Sequence, residues 1–112
     1  IATVKKSVED NMDNPSFNVD VLCNLLNMSR TSFYNKIKAL TDQAPADYIR
    51  LIRLKHAAQL LKEQKHTITE ISELTGFSDA KYFREVFKKH FNMSPSQYAK
   101  RGKEGKDDKE IK

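Results

Sequence analysis

The fold of this chain is decided by residues 68–83, which read ITEISELTGFSDAKYF. Thr67 and Glu70 have the spacing of a capping box, in which each side chain satisfies a free amide of the other residue, so a helix is predicted to begin at Ile68. Gly76 follows where the chain must turn with positive φ, a conformation in which a Cβ is costly. The stretch therefore predicts a short helix that ends in a tight turn.

The same pattern occurs once more, about fifty residues earlier in the chain. The first aligned pairs are Leu22 with Ile71, Leu25 with Leu74, Asn27 with Gly76 and Met28 with Phe77. After a slip of one residue, the alignment continues with Phe33 and Phe83, Ile37 and Phe87, Pro45 and Pro95, and Tyr48 and Tyr98. In each copy a short apolar helix meets a turn and an amphipathic helix follows, which is the helix-turn-helix pattern. The second helix of such a unit can enter the DNA major groove. Two units in one small basic chain predict a protein that reads two stretches of one DNA face.

Composition places the chain in the all-α class. Its 112 residues suffice for one domain or for two small lobes that share a helix. Only three Gly and three Pro interrupt it, and no strand-like alternation runs for long, so helices are expected throughout. We expect two helix-turn-helix subdomains, 1–45 and 64–101, joined by a long linker helix over 46–63. The charged tail, 102–112, is nearly free of apolar residues and is expected to be disordered.

Cap and turn residues predict about seven helices. The first helix is closed by Asn14–Pro15, the second runs from its cap at Asn18 to about Leu26, and the third runs from its cap at Ser29 to near Thr41. The fourth helix runs from Pro45 to about Glu63, and the fifth covers 68–74. The sixth runs from a cap at Ser78 or Asp79 to near Phe91, and the last follows a Ser94–Gln97 capping box. Proline suits a first helical turn because its missing N–H would have no partner there. The second and fifth helices begin the two repeated units.

The net charge of +5 is unevenly distributed along the chain. Residues 29–101 carry fourteen Lys and Arg against seven Asp and Glu, whereas residues 1–28 sum to −2 and the tail sums to zero. The basic excess therefore lies on the repeated helices, and a polyanion partner is the natural inference. A solvated lysine-rich surface is the alternative.

Several functional classes find no support in the sequence. The single cysteine, Cys23, lies in an apolar helix, where a core role is expected, and it rules out an internal disulfide. His56, His66 and His90 show no metal-ligand spacing, so no metal or other cofactor is expected. There is no phosphate loop and no nucleophile with a plausible base, so no enzyme is expected. No apolar run approaches the roughly 20 residues that span a bilayer, and we expect a soluble, cytoplasmic chain.

Helical periodicity divides the second helix of each unit into two faces. The predicted inner faces are Phe33, Ile37 and Leu40 in the first unit, and Phe83 and Phe87, widened by Tyr82 and Val86, in the second. The predicted outer faces are Thr31, Tyr34, Asn35 and Lys38 in the first unit, and Lys81, Arg84, Glu85 and Lys88 in the second. Asn pairs with adenine, Arg with guanine, and Glu accepts from the cytosine amine, so these faces suit base recognition. Ordinary solvated surfaces are the competing interpretation, because every surface helix has one.

These residues resemble a known family. Over roughly residues 4–101 the chain resembles the DNA-binding domain of the AraC/XylS family of bacterial transcription regulators. The matching stretches are ITEISELTGFSDAKYF at 68–83, MSRTSFYNKIKALT at 28–41 and, in the linking helix, YIR at 48–50 and RLKHAAQLL at 53–61. In that family a long helix joins two helix-turn-helix lobes, and the third and sixth helices enter successive major-groove segments.

The resemblance implies base contacts at defined positions of this sequence. They are Arg30, Thr31, Tyr34 and Asn35 in the first unit and Ala80, Lys81, Arg84 and Glu85 in the second. Two residues depart from the family pattern. Ala80 is too short to hydrogen-bond a base and could offer only an apolar contact, as with a thymine methyl. Asn92 stands where the family often has Gly, although Asn also tolerates positive φ.

The resemblance also implies partners. They are double-stranded promoter DNA and RNA polymerase, with no membrane contact by this segment. The stretch over 14–30 is most similar to output domains fused to hybrid two-component sensors of Bacteroidetes-type bacteria. Because the chain opens at Ile1, we expect a fragment whose sensing and dimerisation parts lie elsewhere in the intact protein. The rival interpretation is a basic helical adaptor for a protein or an acidic surface, which explains the charge but not the two matched turns.

Overall fold

The computed structural model describes residues 2–101, and these form seven helices and no strand. The helices are α1 (Ala2–Asp10), α2 (Val19–Leu26), α3 (Arg30–Thr41), α4 (Pro45–Glu63), α5 (Ile68–Leu74), α6 (Ala80–Phe91) and α7 (95–101). The all-α class and the helix order predicted from the sequence are therefore confirmed. The expectations for Ile1 and for the tail, 102–112, lie outside the described residues.

Side-chain caps begin the helices where the sequence predicts them. Asn18 and Ser29 accept hydrogen bonds from backbone amides three residues on, at 3.1 Å each, and so cap α2 and α3. The alternative at α6 is resolved in favour of Asp79, whose carboxylate accepts from the Lys81 amide at 2.9 Å. Each cap satisfies one amide that the first helical turn leaves without a partner.

Both predicted capping boxes are also formed. At α5, the Thr67 side chain accepts from the Glu70 amide at 3.1 Å while the Thr67 amide donates to the Glu70 carboxylate at 2.8 Å. At α7, Ser94 and Gln97 make the same reciprocal pair at 3.2 and 3.0 Å. The carboxylate of Glu70 is the acceptor of the backbone bond, and this bond lowers the pKa of that group.

The internal repeat is visible in the backbone. Asn27 and Gly76, which align in the two copies, both adopt the left-handed conformation, with φ of 56° and 81°. In each copy the next amide donates to the carbonyl five residues back, at 3.0 Å in the first and 2.9 Å in the second. This closure ends α2 and α5 in the same way. A second matched pair, Asp42 and Asn92, ends α3 and α6 with φ of 60° and 61°.

The apolar residues form two clusters, and α4 contributes to both. The first contains Val4, Val8, Met12, Phe17, Leu22, Cys23, Phe33, Ile37, Ile49 and Ile52. The second contains Leu54, Ala57, Ala58, Leu61, Ile71, Phe77, Phe83 and Phe87. Cys23 is buried as a core residue, as expected. The first cluster is mainly aliphatic and the second is rich in aromatic rings. Each fixes the rotation of one amphipathic helix.

The inner faces predicted for α3 and α6 need two corrections. Leu40 was assigned to the inner face of α3, but its side chain is 58% exposed. Helical periodicity shows the direction of a side chain but not whether another element reaches that turn, and the aligned residue of α6, His90, is also exposed. Tyr82 was assigned to the inner face of α6 and is 44% exposed. Its ring lies beside Phe77, at 6.3 Å between centroids, at the rim of the second cluster.

Candidate nucleic-acid interface

The outer face of α3 is defined by the side chains buried opposite it. Phe33 and Ile37 are each 2% exposed, so the rotation of the helix is fixed. The residues predicted as contacts on this helix are all exposed, namely Arg30, Thr31, Tyr34, Asn35 and Lys38. The face offers hydroxyl, amide and cationic groups together. These are the groups that hydrogen-bond base edges and phosphates.

The outer face of α6 is defined in the same way. Phe83 and Phe87 are fully buried, and their centroids lie 5.7 Å apart. The residues predicted as contacts are Ala80, Lys81, Arg84, Glu85 and Lys88; Ala80 is half-buried and the others are exposed. The last turn adds Lys89 and His90, so basic residues continue along the helix to its end. The two outer faces thus lie at equivalent positions of the two units, but that of α6 carries more charged side chains.

One predicted contact residue, Arg30, is already engaged with another side chain. Its guanidinium forms an ion pair with Asp20 of α2, the helix that precedes the turn. Both side chains are mostly exposed, so the pair is screened by solvent and adds little to stability. It can still orient Arg30, because a guanidinium has five donors and this pair uses only part of them.

The one acidic residue on the outer face of α6, Glu85, has no ion-pair partner among the described residues. Within 2–101 the ion pairs are Arg30–Asp20 and Arg50–Asp47. A surface pair of Glu85 with Lys89, which their spacing allows, is therefore not formed. Glu85 is left free to face a ligand.

A buried charge that sequence reasoning missed lies between the two clusters. Arg53 of α4 is only 5% exposed. The sequence signal was present, because Arg53 stands four residues from both Ile49 and Ala57, which are buried on the inner face of α4. A charged residue within an apolar stripe needs buried partners. From the sequence, Arg53 is singled out only as part of the matching stretch over 53–61.

Two classes of site are absent from the described residues. No helix of residues 2–101 is long and apolar enough to cross a membrane. In the same part of the chain, no group of three or more His, Cys, Asp or Glu side chains could hold a metal ion.

Two helix-turn-helix units with exposed, mostly basic second helices define a bipartite DNA-binding domain. A family model described as a helix-turn-helix domain matches residues 22–101. The chain belongs to this family, in its AraC/XylS-type branch. Sequence-specific DNA binding for transcription regulation is accordingly the function of this domain, as the sequence predicted.

Two relatives that match this chain are much longer than it is. It is 50% identical over 96 residues to "Histidine kinase P4" of Formosa agariphila, covering 86% of this chain and 7% of that protein. It is 35% identical over 85 residues to the transcriptional activator RhaR of Pectobacterium carotovorum, covering 76% of this chain and 30% of that protein. The chain thus spans less than a third of each of these relatives.

Solved structures share the arrangement of helices. The C-terminal domain of the two-component response regulator yesN from Fusobacterium nucleatum superimposes with a TM-score of 0.80 at 28% identity, covering 88% of this chain and 95% of that one. The DNA-binding domain of AdpA, a global transcriptional factor solved with a target DNA, gives 0.81 at 26% identity, covering 88% and 87%. Both are similar to this chain over nearly all of its described part.

Proposed function

We propose that this domain places α3 and α6 in successive major-groove segments on one face of promoter DNA. The observation that carries the proposal is the repeat itself: two helices, at matched positions after matched turns, each expose polar groups on the side away from their cluster. An adaptor surface would not need the same closure twice. The two units act as lobes, 1–45 and 64–101, about the linker helix, 46–63.

The first unit is proposed to read bases through the amide and hydroxyl groups of α3. Asn35 is suited to adenine through two hydrogen bonds, and Thr31 and Tyr34 flank it on the exposed face. Arg30 is proposed to contact a base or a phosphate from the start of the helix while Asp20 orients it. Lys38, one turn beyond Asn35, is suited to a phosphate.

The second unit is proposed to contact DNA through more charged side chains than the first. Arg84 is suited to guanine, and Glu85 to the amine of cytosine. Lys81 and Lys88, at opposite ends of the exposed face, are suited to phosphates. Ala80 offers a methyl group, which fits against a thymine methyl and donates nothing. The two units are therefore expected to recognise different base sequences.

The length of the linker helix can be compared with the distance between the two major-groove segments of the proposed complex. α4 has 19 residues, and at about 1.5 Å per residue it spans about 28 Å. Successive major-groove segments on one face lie about 34 Å apart. Bending of the DNA or tilting of the lobes is proposed to make up the difference.

The domain is proposed to be the DNA-binding output part of a longer cytoplasmic regulator of two-component type. This is supported by the small share of the named relatives that it spans and by a response-regulator domain among its structural neighbours. Sensing and dimerisation are assigned to other parts of that protein. RNA polymerase is its proposed partner at the promoter.

Selection of binding sites from random duplexes tests the proposal. The expected result is an enriched sequence with two separated blocks of conserved bases. Asn35→Ala should relax the preference at a position in one block, and Arg84→Ala at a position in the other. The matched control is Lys55→Ala, an exposed cation of the linker helix outside both faces. Enrichment of no sequence, together with binding to an acidic protein surface, would instead favour the adaptor.

A further inference from the structure

Arg53 is the most heavily hydrogen-bonded side chain of the described structure. Its guanidinium donates to the backbone carbonyls of Met12 at 3.2 Å and of Asn14, Phe17 and Thr75 at 3.0 Å each. Four acceptors around one buried guanidinium occupy most of its five N–H donors. All four are neutral backbone groups.

The four carbonyls come from both helix-turn-helix units and converge on this one guanidinium. Met12, Asn14 and Phe17 lie in the segment that connects α1 to α2, in the first unit. Thr75 begins the turn between α5 and α6, in the second unit. Arg53 itself belongs to α4 and to neither apolar cluster. One side chain therefore joins the segment that leads into the first helix-turn-helix unit to the turn inside the second unit.

The burial of this charged guanidinium is stable because its hydrogen bonds to the four carbonyls are in place. Burial lowers the pKa of Arg53 through desolvation, although an arginine remains protonated in proteins. A buried charge without a carboxylate is tolerated only while its hydrogen bonds are complete. Moving either unit away from α4 would remove carbonyls from it. The arrangement therefore favours one relative position of the two units.

The turn of the second unit is built around this guanidinium. A Cβ added at Gly76 would lie 1.3 Å from Nη1 of Arg53 and 2.5 Å from the carbonyl oxygen of Met12. The backbone of the turn therefore lies directly against the guanidinium and the carbonyl. The aligned residue of the first unit, Asn27, carries a side chain and is exposed. Close contact with Arg53 is a property of the second turn.

We propose that Arg53 is a positioning residue that holds α3 and α6 at one relative orientation and so sets the spacing between the two DNA segments that the domain can bind. The DNA part of this inference rests on the proposed function. Loss of the four hydrogen bonds leaves both apolar clusters complete and frees the units to move relative to each other. Once the first lobe has bound its DNA segment, a less rigid domain holds the second lobe at a lower effective concentration near the other segment, so the whole site is bound more weakly.

The orientation can be measured without DNA. Spin labels are placed at Lys36→Cys of α3 and Lys89→Cys of α6, two exposed positions, in a Cys23→Ala background, and their distance distribution is recorded by pulsed electron paramagnetic resonance. The variants are Arg53→Lys, which keeps the charge but not the planar donor set, and Arg53→Met. The control is Lys55→Met on the exposed side of α4. A narrow distribution is expected for the parent and the control, and a clearly broader one for both Arg53 variants.

The DNA measurement uses duplexes that carry the selected two-block site, the same site with one base pair inserted between the blocks, or a single block. The Arg53 variants should bind the two-block site about tenfold more weakly, discriminate less against the inserted base pair, and bind the single block as the parent does. A merely destabilised lobe would instead lose binding to the single block.

Three results would overturn the proposal. One is an unchanged distance distribution together with an unchanged spacing preference in folded variants. Another is a uniform loss of affinity for all three duplexes. The third is the failure of both Arg53→Lys and Arg53→Met to fold, judged by circular dichroism, because Arg53 would then be required within the lobes. If the parent binds no duplex selectively, the proposed function fails, while the label distances still test the positioning role.

Discussion

The two turns of the molecule have the same backbone but different residues at the critical position. Asn27 and Gly76 both adopt positive φ, and the same hydrogen bond closes each turn. Asparagine suffices in the first turn because Asn27 is exposed, so its side chain extends away from the core. Glycine is required in the second because Arg53 fills the place of a Cβ. The residue at a turn is thus set by what packs against it as well as by its φ.

The largest expected effects concern the cores behind the two outer faces. Phe87→Ala should destabilise the fold by about 3–5 kcal/mol, toward the upper end because its ring packs against Phe83, Phe91 and Tyr98 with centroids 5.7, 4.4 and 5.4 Å away. Phe33→Ala should fall toward the lower end of about 3–5 kcal/mol, because its neighbours are mainly aliphatic.

The control for this comparison is Leu40→Ala, on the same helix as Phe33. Because Leu40 is exposed, its loss should change stability by no more than about 0.5 kcal/mol. Thermal unfolding followed by circular dichroism measures all three variants. Unchanged stability of Phe33→Ala and Phe87→Ala, together with lost DNA binding, would mean that these rings form a binding surface.

The next effect separates the two turns directly. Gly76→Ala should cost about 3 kcal/mol or more, since it adds positive-φ strain and displaces a buried charge from its partners. Asn27→Ala should cost only about 1 kcal/mol, which is the strain alone. Chemical denaturation gives both values. Equal losses in the two variants would contradict the role assigned to Arg53 at the second turn.

Local signals in the sequence were enough to predict most of the helix boundaries. Caps such as Ser29 and the Thr67–Glu70 pair act within three residues, so the sequence contains their whole interaction. Leu40 was misplaced because periodicity does not show where the covering elements end. Arg53 was missed because its acceptors lie 22 to 41 residues away, and only the folded chain brings them together.

The site was predictable as a pattern but not as a set of contacts. The exposure of Asn35 and Arg84 follows from the burial of Phe33 and Phe83, which the helical period already indicated. The ion pair of Arg30 with Asp20 was not expected, because it joins two helices across the turn. Which bases each residue touches depends on a duplex, so those roles stay predictions.

A smaller effect concerns the aligned positions Asn35 and Glu85, where the two outer faces differ most. Asn35→Ala should lose about 1–3 kcal/mol of discrimination at one base pair. Glu85→Ala separates two roles: loss of preference at one position indicates a base contact, and a uniform gain on all sequences indicates repulsion of phosphates. Binding titrations on single-base variants of the selected site measure both. No change in affinity or preference for Glu85→Ala would mean that α6 does not dock as proposed.

The smallest effect compares the two capping boxes. The pKa of Glu70 is lowered, chiefly by the hydrogen bond from the Thr67 amide, so its contribution to stability is present above the ordinary pKa of about 4.3 and is lost as pH falls through the lowered value. Glu70→Gln should therefore differ from the parent at neutral pH and converge with it in acid. Gln97→Ala, in the uncharged box, should show no such pH dependence. Stability curves at several pH values measure the difference, and parallel curves for Glu70→Gln and the parent would contradict the assignment.

Hydroxyl-radical footprinting on the selected duplex tests the central claim most directly, because it locates both helices on the DNA at once. If α3 and α6 occupy successive major-groove segments, two protected segments about one helical turn, ~34 Å, apart will appear on one face of the duplex. A single short protected segment, or protection that is indifferent to sequence, would contradict the two-lobe account.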